Sequence, residues 1–343
     1  MNGSSRLRIC LAASGGGHLR QLLDLKPFWE QHDAHFVTEP TALAESLAKS
    51  HRVHLVPHVR ASQLRTHAFM KVGGAVAWNA AAAWRAVRAE RPQLVISTGA
   101  GSVFFAILFA KLRGARFVLI ESFARVEAPS RFGRMARRLA DVVVVQSAKL
   151  REAWPEAEVF DPLVMLGPAT GTKEDLGLVT VGTLLPFDRL VNAVDSLSPK
   201  GSRPARLIAQ VGKGGVRPEG MEVHESIGFA ELQALLERAN LVFCHGGTGS
   251  LITALRAGCR VVAMPRRADL GENNDDHQRE IVGTLAARGL VEVAEDAGEL
   301  EAALKGALAK PSQRATTDHS ALIARLREFS EQWFGGQPES KSR

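Results

Sequence analysis

The sequence alternates short aliphatic runs, glycine-rich turns and helical stretches over nearly its whole length. Apolar runs of about four to eight residues that alternate with helical stretches are typical of a parallel sheet covered by helices on both faces. The first series of predicted strands is Arg8–Ala13, His35–Thr38, His51–Pro57, Gln93–Ser97, Arg116–Ile120 and Asp141–Val145. A helix is predicted after the first strand, at His18–Trp29. The first half of the chain should therefore be an α/β domain.

The second half repeats the pattern. Its predicted strands are Leu178–Val181, Arg206–Gln210, Leu241–Cys244, Arg260–Met264 and Val291–Val293. Its predicted helices are Phe187–Leu197, Phe229–Arg238, Ser250–Ala257 and Asn274–Arg288, and Ser320–Phe334 follows near the end of the sequence. The fold class is therefore α/β, with a second sheet of the same kind.

The 343 residues are enough for about two domains. We predict two Rossmann-like domains that face a cleft. Their predicted limits are 1–166 and 178–316, with a linker rich in Gly, Pro and Thr at 167–177, a helix at 317–334 and a frayed tail at 335–343. Ligands of open α/β sheets bind at the carboxyl ends of the strands. The informative residues should therefore lie just after the strands.

Charge is unevenly distributed along the chain. The net charge is +7, and residues 1–168 carry 22 basic and 13 acidic residues, a net of +9. Residues 169–343 carry 21 basic and 23 acidic residues, a net of −2. The first half should therefore meet something anionic, such as a phosphate-rich ligand, a nucleic acid or an acidic membrane surface.

The three cysteines lie in or beside apolar runs, as small buried hydrophobic residues do, and they exclude a disulfide scaffold. No signal peptide is expected, because the apolar run at Ile9–Ala13 is short and leads into glycines. No stretch reaches the roughly 18 apolar residues of a membrane span. A cytoplasmic location is the expectation.

The loop Ser14-Gly15-Gly16-Gly17-His18 directly follows the first predicted strand and opens a helix. The glycines would let a ligand approach the backbone, and the helix start would offer N–H groups to an anion. Gly15, Gly16 and Gly17 are therefore candidate diphosphate-binding residues. His18 is a candidate base, because its ordinary pKa lies near neutrality. The alternative is a tight turn with a capping histidine.

Two further loops follow strands of the first domain. Ser97–Ser102 includes Thr98 and Gly99, which are candidates for acceptor binding or residues of a packing turn. Glu121 ends an apolar strand, where a carboxylate is costly unless it is paired or functional. Arg125 and the arginines at 131, 134, 137 and 138 follow it, and such a cluster suits a diphosphate or anionic headgroups. A solvated helix face would explain the same cluster.

The most specific motif in the second domain is Cys244-His245-Gly246-Gly247-Thr248-Gly249-Ser250, between a strand and a helix. Successive backbone N–H groups and the two hydroxyls can form a diphosphate cradle, although a glycine turn that only caps the helix has the same composition. The motif is neither a Walker loop nor a dinucleotide fingerprint.

A polar run, Glu272–Gln278, follows the next strand, and it is the wrong composition for a core. Glu272 is a candidate for ribose hydroxyls and Gln278 for a sugar. The candidate donor-binding residues within this run are Glu272, Asn273, Asp276, His277 and Gln278. A solvated loop and helix cap is the alternative reading.

No metal-binding motif is present, since there is no H-E-x-x-H, no paired C-x-x-C and no isolated Asp-x-Asp. We therefore expect no metal and no cofactor. Helix dipoles and backbone amides would then neutralise a leaving diphosphate.

The segment Phe69–Val87 combines an apolar body, two tryptophans and flanking cations. That composition suits a helix at a membrane interface, and it also suits an ordinary core helix.

In combination, these motifs resemble a known enzyme family. Ser14–His18, Ser97–Gly101 and Ile120–Ser122 resemble the acceptor subunit of the eukaryotic two-subunit GlcNAc transferase that acts on dolichol diphosphate. Val179–Thr183 and Pro186–Leu190, with the loops at 245–250 and 271–278, resemble its catalytic donor subunit. Both halves also resemble the lipid II-forming transferase of glycosyltransferase family 28. The fused order resembles the sphingan-type glucuronosyltransferases of bacteria.

The resemblance implies a GT-B fold and an inverting, metal-independent glycosyltransferase. It implies a UDP-sugar donor, UDP-glucuronate, in the second domain and a polyprenyl-diphosphate-linked glucose acceptor in the first. The expected partners are these two substrates, the anionic inner face of the cell membrane and other glycosyltransferases of exopolysaccharide assembly. By the same resemblance, Gly182 and Thr183 bind the donor.

In this mechanism His18, or alternatively Glu121, deprotonates the acceptor hydroxyl. A glucuronate carboxylate needs a cation, and Arg266 and Arg267 are the candidates by position, unless they only cover a strand end.

Three other functions fit parts of the sequence. A UDP-GlcNAc transferase would share all the loops, and a UDP-sugar epimerase would share the architecture but should lack the basic half. A non-enzymatic nucleotide-sugar binder is the third. Nucleic acid is not expected as a partner, because aromatic residues are 6%, tyrosine is absent and no recognition motif is present.

Overall fold

The computed structural model describes residues 6–57, 69–182, 185–198, 203–273 and 276–335. The chain divides into two compact units. The first unit runs to Asp161 and also takes in the chain from His319 onward, and the second is Pro162–Asp318.

The first unit contains a parallel sheet of seven strands in the order β3-β2-β1-β4-β5-β6-β7. The strands are β1 (Arg8–Ala13), β2 (Asp33–Thr38), β3 (Arg52–Leu55), β4 (Leu94–Gly99), β5 (Arg116–Ile120), β6 (Val142–Val145) and β7 (Glu158–Val159). Its helices are α1 (Gly17–Leu23), α2 (Lys26–Trp29), α3 (Ala42–Ala48), α4 (Phe69–Glu90), α5 (Phe104–Leu112), α6 (Arg131–Ala136) and α12 (Ser320–Phe334). Short 3-10 turns lie at Gly101–Val103, Arg137–Leu139 and Ala148–Glu152.

Both faces of this sheet are buried. Alternate residues of β1 point to opposite faces, so Cys10 and Ala12 join one hydrophobic cluster while Ile9 and Leu11 join another. This explains why β1 is continuously apolar. The second cluster includes Leu326 of α12, so the last helix packs on the first unit.

The second unit contains a parallel sheet in the order β11-β10-β9-β12-β13-β14. Its strands are β9 (Glu174–Thr180), β10 (Arg206–Gln210), β11 (Glu222–His224), β12 (Ala239–Cys244), β13 (Arg260–Ala263) and β14 (Glu292–Val293). A separate antiparallel pair joins β8 (Leu163–Pro168) to β15 (Gln313–Thr317). The helices are α7 (Asp188–Asp195), α8 (Phe229–Arg238), α9 (Thr248–Arg256), α10 (His277–Ala287) and α11 (Ala297–Ala309).

Two details differ from the sequence predictions. The helix predicted at His18–Trp29 is divided into α1 and α2, and Pro27 lies in the first turn of α2. Proline is tolerated in a first turn because the N–H group that it lacks would have no acceptor within the helix at that position. The predicted linker at 167–177 contains the end of β8 and the start of β9, since glycine and proline also suit strand ends.

Within the described ranges, none of the helices combines the length and the apolar character that crossing a membrane requires.

Candidate active site

The glycine loop after β1 is closely packed against neighbouring loops. The backbone N–H of Ser14 donates to the carbonyl oxygen of Gly99 at 2.7 Å. A Cβ atom at Gly15 would lie less than 3.0 Å from the Thr41 side chain, and Gly16 has a φ of +72°. Glycine is therefore needed at both positions. Gly17 begins α1, where a Cβ would meet no atom within 4 Å.

His18 is fixed to β4 by two hydrogen bonds. Its Nδ1 lies 2.7 Å from the carbonyl oxygen of Thr98, and the Thr98 hydroxyl donates to the His18 carbonyl oxygen at 2.8 Å. Because a carbonyl only accepts, Nδ1 carries the hydrogen, and Nε2 is the nitrogen that can take up a proton. This is the tautomer that a general base requires.

Gly99 closes the other side of the His18 ring. Its φ is +107°, and a Cβ atom there would lie 3.4 Å from the ring of His18. The Ser97 hydroxyl accepts a hydrogen bond from the Gly99 N–H at 3.1 Å, which helps to hold this turn. The first and second predicted loops therefore meet at the carboxyl ends of β1 and β4.

Glu121 is 2% exposed, and both of its carboxylate oxygens are engaged. Oε1 accepts from the Ser122 N–H at 2.9 Å, and Oε2 accepts from the N–H and hydroxyl of Ser130 at 3.0 and 3.1 Å. Burial raises the pKa of Glu121, and these hydrogen bonds oppose the rise. A Cβ at Gly133 would clash with Oε2, so α6 packs directly on the carboxylate. These contacts favour a positioning role over a base.

Two glutamines at this end of the sheet were missed in the sequence analysis. Gln21 of α1 and Gln146, directly after β6, are joined by a hydrogen bond of 2.8 Å. A signal existed in the sequence, since Gln146 is a large polar residue at the end of an apolar strand. Arg125 lies on the nearby loop, where its backbone N–H donates to the Ser122 carbonyl at 2.8 Å.

In the second unit, the loop after β12 leads directly into α9. Gly246 has a φ of +80°, and a Cβ there would lie 2.9 Å from Val282 of α10. Gly247 is the N-cap of α9, and no side chain among the described residues caps this helix. The N–H groups of Thr248, Gly249 and Ser250 are in its first turn, where a helix has no internal acceptors for them.

His245 is buried between two glycines. A Cβ at Gly182 or at Gly247 would lie less than 3.0 Å from its Nε2. Its Nδ1 lies 3.3 Å from the carbonyl oxygen of Thr180. Burial, reinforced by the nearby Arg266 cation, lowers the pKa of His245 to about 4. The ring is therefore neutral, and it packs the end of β9 against the start of α9.

The Arg266 guanidinium is engaged by main-chain carbonyls of its own unit. Its guanidinium donates to the carbonyl oxygens of Val181, Leu185 and Pro186 at 2.8–3.0 Å and lies 4.8 Å from the centre of the Phe187 ring. It therefore anchors the segment that follows β9. Arg267 pairs with Asp269 through two hydrogen bonds.

Glu272 is also engaged within the protein. It forms two hydrogen bonds of 2.8 Å with the Arg189 guanidinium and accepts another from the Arg267 N–H at 2.9 Å. Partial burial alone would raise the pKa of Glu272, but these hydrogen bonds hold it below its usual value. The role expected for Glu272, accepting from ribose hydroxyls, would need these bonds to be shared or broken.

The rest of the polar run also supports the loops. Gln278 accepts from the Arg266 N–H at 3.0 Å, and a Cβ at Gly246 would lie 3.3 Å from it. Asp276 accepts from the Ala268 N–H at 3.0 Å, and His277 begins α10. Asn273 lies four residues before α10, and Thr183 lies outside the described residues.

A further residue of the second unit was not anticipated. Gln210, at the end of β10, donates to the Gly182 carbonyl at 2.8 Å and accepts from the Ile227 N–H at 3.0 Å. It therefore ties the glycine turn after β9 to the loop before α8. In the part of the chain that the structure describes, no group of three or more potential metal ligands occurs.

Comparisons with known proteins agree with this architecture. A glycosyltransferase family 28 C-terminal domain matches residues 177–333, and an Alg14-like oligosaccharide biosynthesis protein matches residues 28–163. No curated protein matches the chain.

Several solved glycosyltransferases share the fold. MurG of Acinetobacter baumannii is 17% identical over 93% of this chain and 99% of its own, with a TM-score of 0.58. The kitacinnamycin glycotransferase is 16% identical over 95% of each chain, with a TM-score of 0.61. SnogD from Streptomyces nogalater is 21% identical over 95% of this chain and 100% of its own, with a TM-score of 0.57.

The two α/β units and the solved structures that resemble them show the GT-B fold. More particularly, residues 28–163 are similar to Alg14-like oligosaccharide biosynthesis proteins, and residues 177–333 are similar to the glycosyltransferase family 28 C-terminal domain. The prediction of a GT-B fold is confirmed, and the two family matches agree with the prediction of a glycosyltransferase.

Proposed function

We propose that this glycosyltransferase moves glucuronate from UDP-glucuronate to glucosyl-diphospho-polyprenol, with inversion to a β linkage, during bacterial exopolysaccharide synthesis. The C-terminal unit would take the donor and the Alg14-like unit the lipid-linked acceptor. The similarity of residues 28–163 to an Alg14-like oligosaccharide biosynthesis protein supports a glycan acceptor. The identity of both sugars rests on the sequence resemblance.

The observation that carries the proposal is the start of α9. The helix begins at Thr248 behind two glycines, without a side-chain cap among the described residues. Its first N–H groups, with the hydroxyls of Thr248 and Ser250, form a donor set for the diphosphate of a nucleotide sugar. In this role they would stabilise UDP as it leaves.

The acceptor hydroxyl would lose its proton to His18. The hydrogen bond from Nδ1 to the Thr98 carbonyl directs basicity to Nε2. The amides of Gly15, Gly16 and Gly17, with Thr98, Gly99 and Arg125, would contact the acceptor diphosphate. Glu121 would hold the neighbouring loop through Ser130.

The contacts of Arg266 favour a second candidate, a UDP-GlcNAc transferase. Arg266 donates to three carbonyls and Arg267 pairs with Asp269, so both proposed partners of a glucuronate carboxylate are already engaged. A neutral donor sugar needs no cation. The two candidates differ only in the sugar that is transferred from UDP to the acceptor.

An anionic membrane surface is the proposed partner of the first unit, on the cytoplasmic side of the cell membrane. Trp78 and Trp84 of α4 are 63% and 40% exposed. Near α6, Arg134, Arg137, Arg138 and Trp154 line a cavity of about 370 Å³. Exposed tryptophans and guanidinium groups suit a phospholipid interface. Other exopolysaccharide glycosyltransferases are proposed partners on the same membrane.

Product analysis tests the donor and the acceptor together. The purified chain is incubated with a glucosyl-diphospho-lipid and either UDP-glucuronate or UDP-GlcNAc, and the lipid product is identified by mass spectrometry. Addition of one glucuronate, with a β linkage by NMR, is the expected result. Exclusive transfer of GlcNAc would select the second candidate, and release of free sugar without a lipid product from either donor would contradict both.

A further inference from the structure

Gln21 and Gln146 connect α1, the helix of His18, to the ends of β5 and β6 in the same sheet through hydrogen bonds. Gln21 lies one turn after His18 on α1. Its Oε1 accepts from the Phe123 N–H at 3.1 Å and from Gln146 Nε2 at 2.8 Å. The second turn of α1 is thereby joined to the loop after β5 and to the end of β6.

Gln146 donates in two directions. Its Nε2 reaches Gln21 Oε1 and the Glu121 carbonyl oxygen, each at 2.8 Å. The orientation of both amides is determined, because the Phe123 N–H requires an oxygen on Gln21, which in turn requires a nitrogen on Gln146. Gln146 is 4% exposed, so its loss would remove this donor from the Glu121 carbonyl oxygen and would leave Gln21 Oε1 with the Phe123 N–H as its remaining partner of these two.

The link continues to Glu121 and its loop. The Glu121 N–H donates to the Val144 carbonyl at 2.8 Å, and the carboxylate holds Ser122 and Ser130. On the other side, Thr98 holds His18 itself. His18 is therefore fixed directly from β4, and its helix is fixed from β5 and β6.

We infer that Gln21 and Gln146 are positioning residues, which hold α1 so that Nε2 of His18 meets the acceptor hydroxyl in a productive geometry. This inference rests on the proposed function of His18 as the base. Neither glutamine needs to touch substrate. Their effect passes through the place and angle of α1, where a displacement of about 1 Å is enough to cost roughly 100-fold in rate.

The test is a double-mutant cycle. Gln146→Leu and Gln21→Met are each made in the native chain and in His18→Ala. In the native background each variant should lower kcat by about 10- to 100-fold and change the KM for the UDP-sugar by less than about twofold, because the donor is placed in the other unit. In the His18→Ala background neither should lower the residual rate further.

Gln31→Met is the matched control. The exposed side chain of Gln31 donates a hydrogen bond of 2.9 Å to the Pro27 carbonyl of the neighbouring helix. The Gln31→Met variant should retain the kcat of the native chain. If Gln146→Leu does not fold, the partly exposed Gln21→Met variant decides the question, with folding checked by circular dichroism.

Three results would overturn the inference. An unchanged kcat in folded glutamine variants, alongside an inactive His18→Ala, would remove the positioning role and leave the proposed base intact. An equal fall in both backgrounds would show that the glutamines act without His18. Full turnover by His18→Ala would overturn the proposed base and the positioning role with it.

Discussion

Two histidines that follow strands of the two sheets show how surroundings decide what a residue does. His18 and His245 each direct Nδ1 toward a main-chain carbonyl, of Thr98 and Thr180 respectively. His18 is half-buried beside a glycine loop, whereas His245 is buried between Gly182 and Gly247. We propose the first as a base, whereas the second is neutral and fills the space between the two glycines.

The burial of His245 predicts a pH dependence of stability. Its pKa is about 4 in the folded chain, against an ordinary value of 6.5. Above about pH 6.5 the group is neutral in both states and has no effect. As the pH falls toward 4 the unfolded chain binds the proton more readily, so the free energy of unfolding should drop by about 3 kcal/mol from this group.

Denaturant unfolding at pH 7 and pH 4.5, with native chain and His245→Asn, measures this effect. His35, whose pKa burial lowers to about 3, titrates over the same range in both proteins and cancels in the comparison. The variant should lose less stability than the native chain between the two pH values. Equal losses would mean that His245 is not kept neutral by its surroundings.

At the scale of elements, the start of α9 is set by glycines with different constraints. Gly247 faces the His245 ring, whereas a Cβ at Gly249 would meet no atom within 4 Å. Gly247→Ala should destabilise the chain by about 1–3 kcal/mol, because the buried ring has no room to move. Gly249→Ala should be neutral or stabilise by up to about 1 kcal/mol, since alanine favours helix.

Thermal unfolding of the two alanine variants distinguishes the sites. A clear fall in Tm for Gly247→Ala, with an unchanged or higher Tm for Gly249→Ala, is the expected pattern. Matching Tm values would show that the His245 ring does not fill the space beside Gly247.

The limits of several strands could be predicted from the sequence alone. The limits of β1, β5 and β10 were predicted as observed, because parallel strands buried on both faces leave unbroken apolar runs. The antiparallel strand β8 was missed, since Leu163–Pro168 borders a glycine- and proline-rich segment. Antiparallel pairing between strands that are distant in sequence leaves no comparable apolar run in the local sequence.

Side-chain partners were harder to predict than loops. The glycine loops after β1 and β12 lie at strand ends, as expected. Arg266 and Glu272 were assigned to ligand, but their nearest partners are carbonyls and Arg189 within the same unit. The partner of a charged side chain depends on contacts between residues that are distant in sequence, such as Arg266 and Val181. The spacing of residues along the chain does not predict such contacts.

At the scale of the whole molecule, charge and exposed apolar groups favour the first unit as the part that meets a membrane. The net charge of +9 lies in residues 1–168. The chain should cosediment with vesicles rich in anionic lipid and be released by salt. Trp78→Ser combined with Arg134→Glu should weaken binding at least tenfold.

Leu270→Ser is the control for that experiment, because Leu270 is an exposed apolar residue of the second unit, at 53% exposure. It should bind vesicles like the native chain. Vesicle binding that is unchanged by salt and by the Trp78 and Arg134 substitutions would contradict an electrostatic membrane interface on the first unit.

The most direct test of the proposed donor site is a crystal structure of the chain with UDP. We expect the diphosphate to accept hydrogen bonds from the N–H groups of Thr248, Gly249 and Ser250, at the first turn of α9. A diphosphate bound instead at the Gly15–His18 loop, with the start of α9 in contact with solvent, would contradict the assignment of the donor to the second unit.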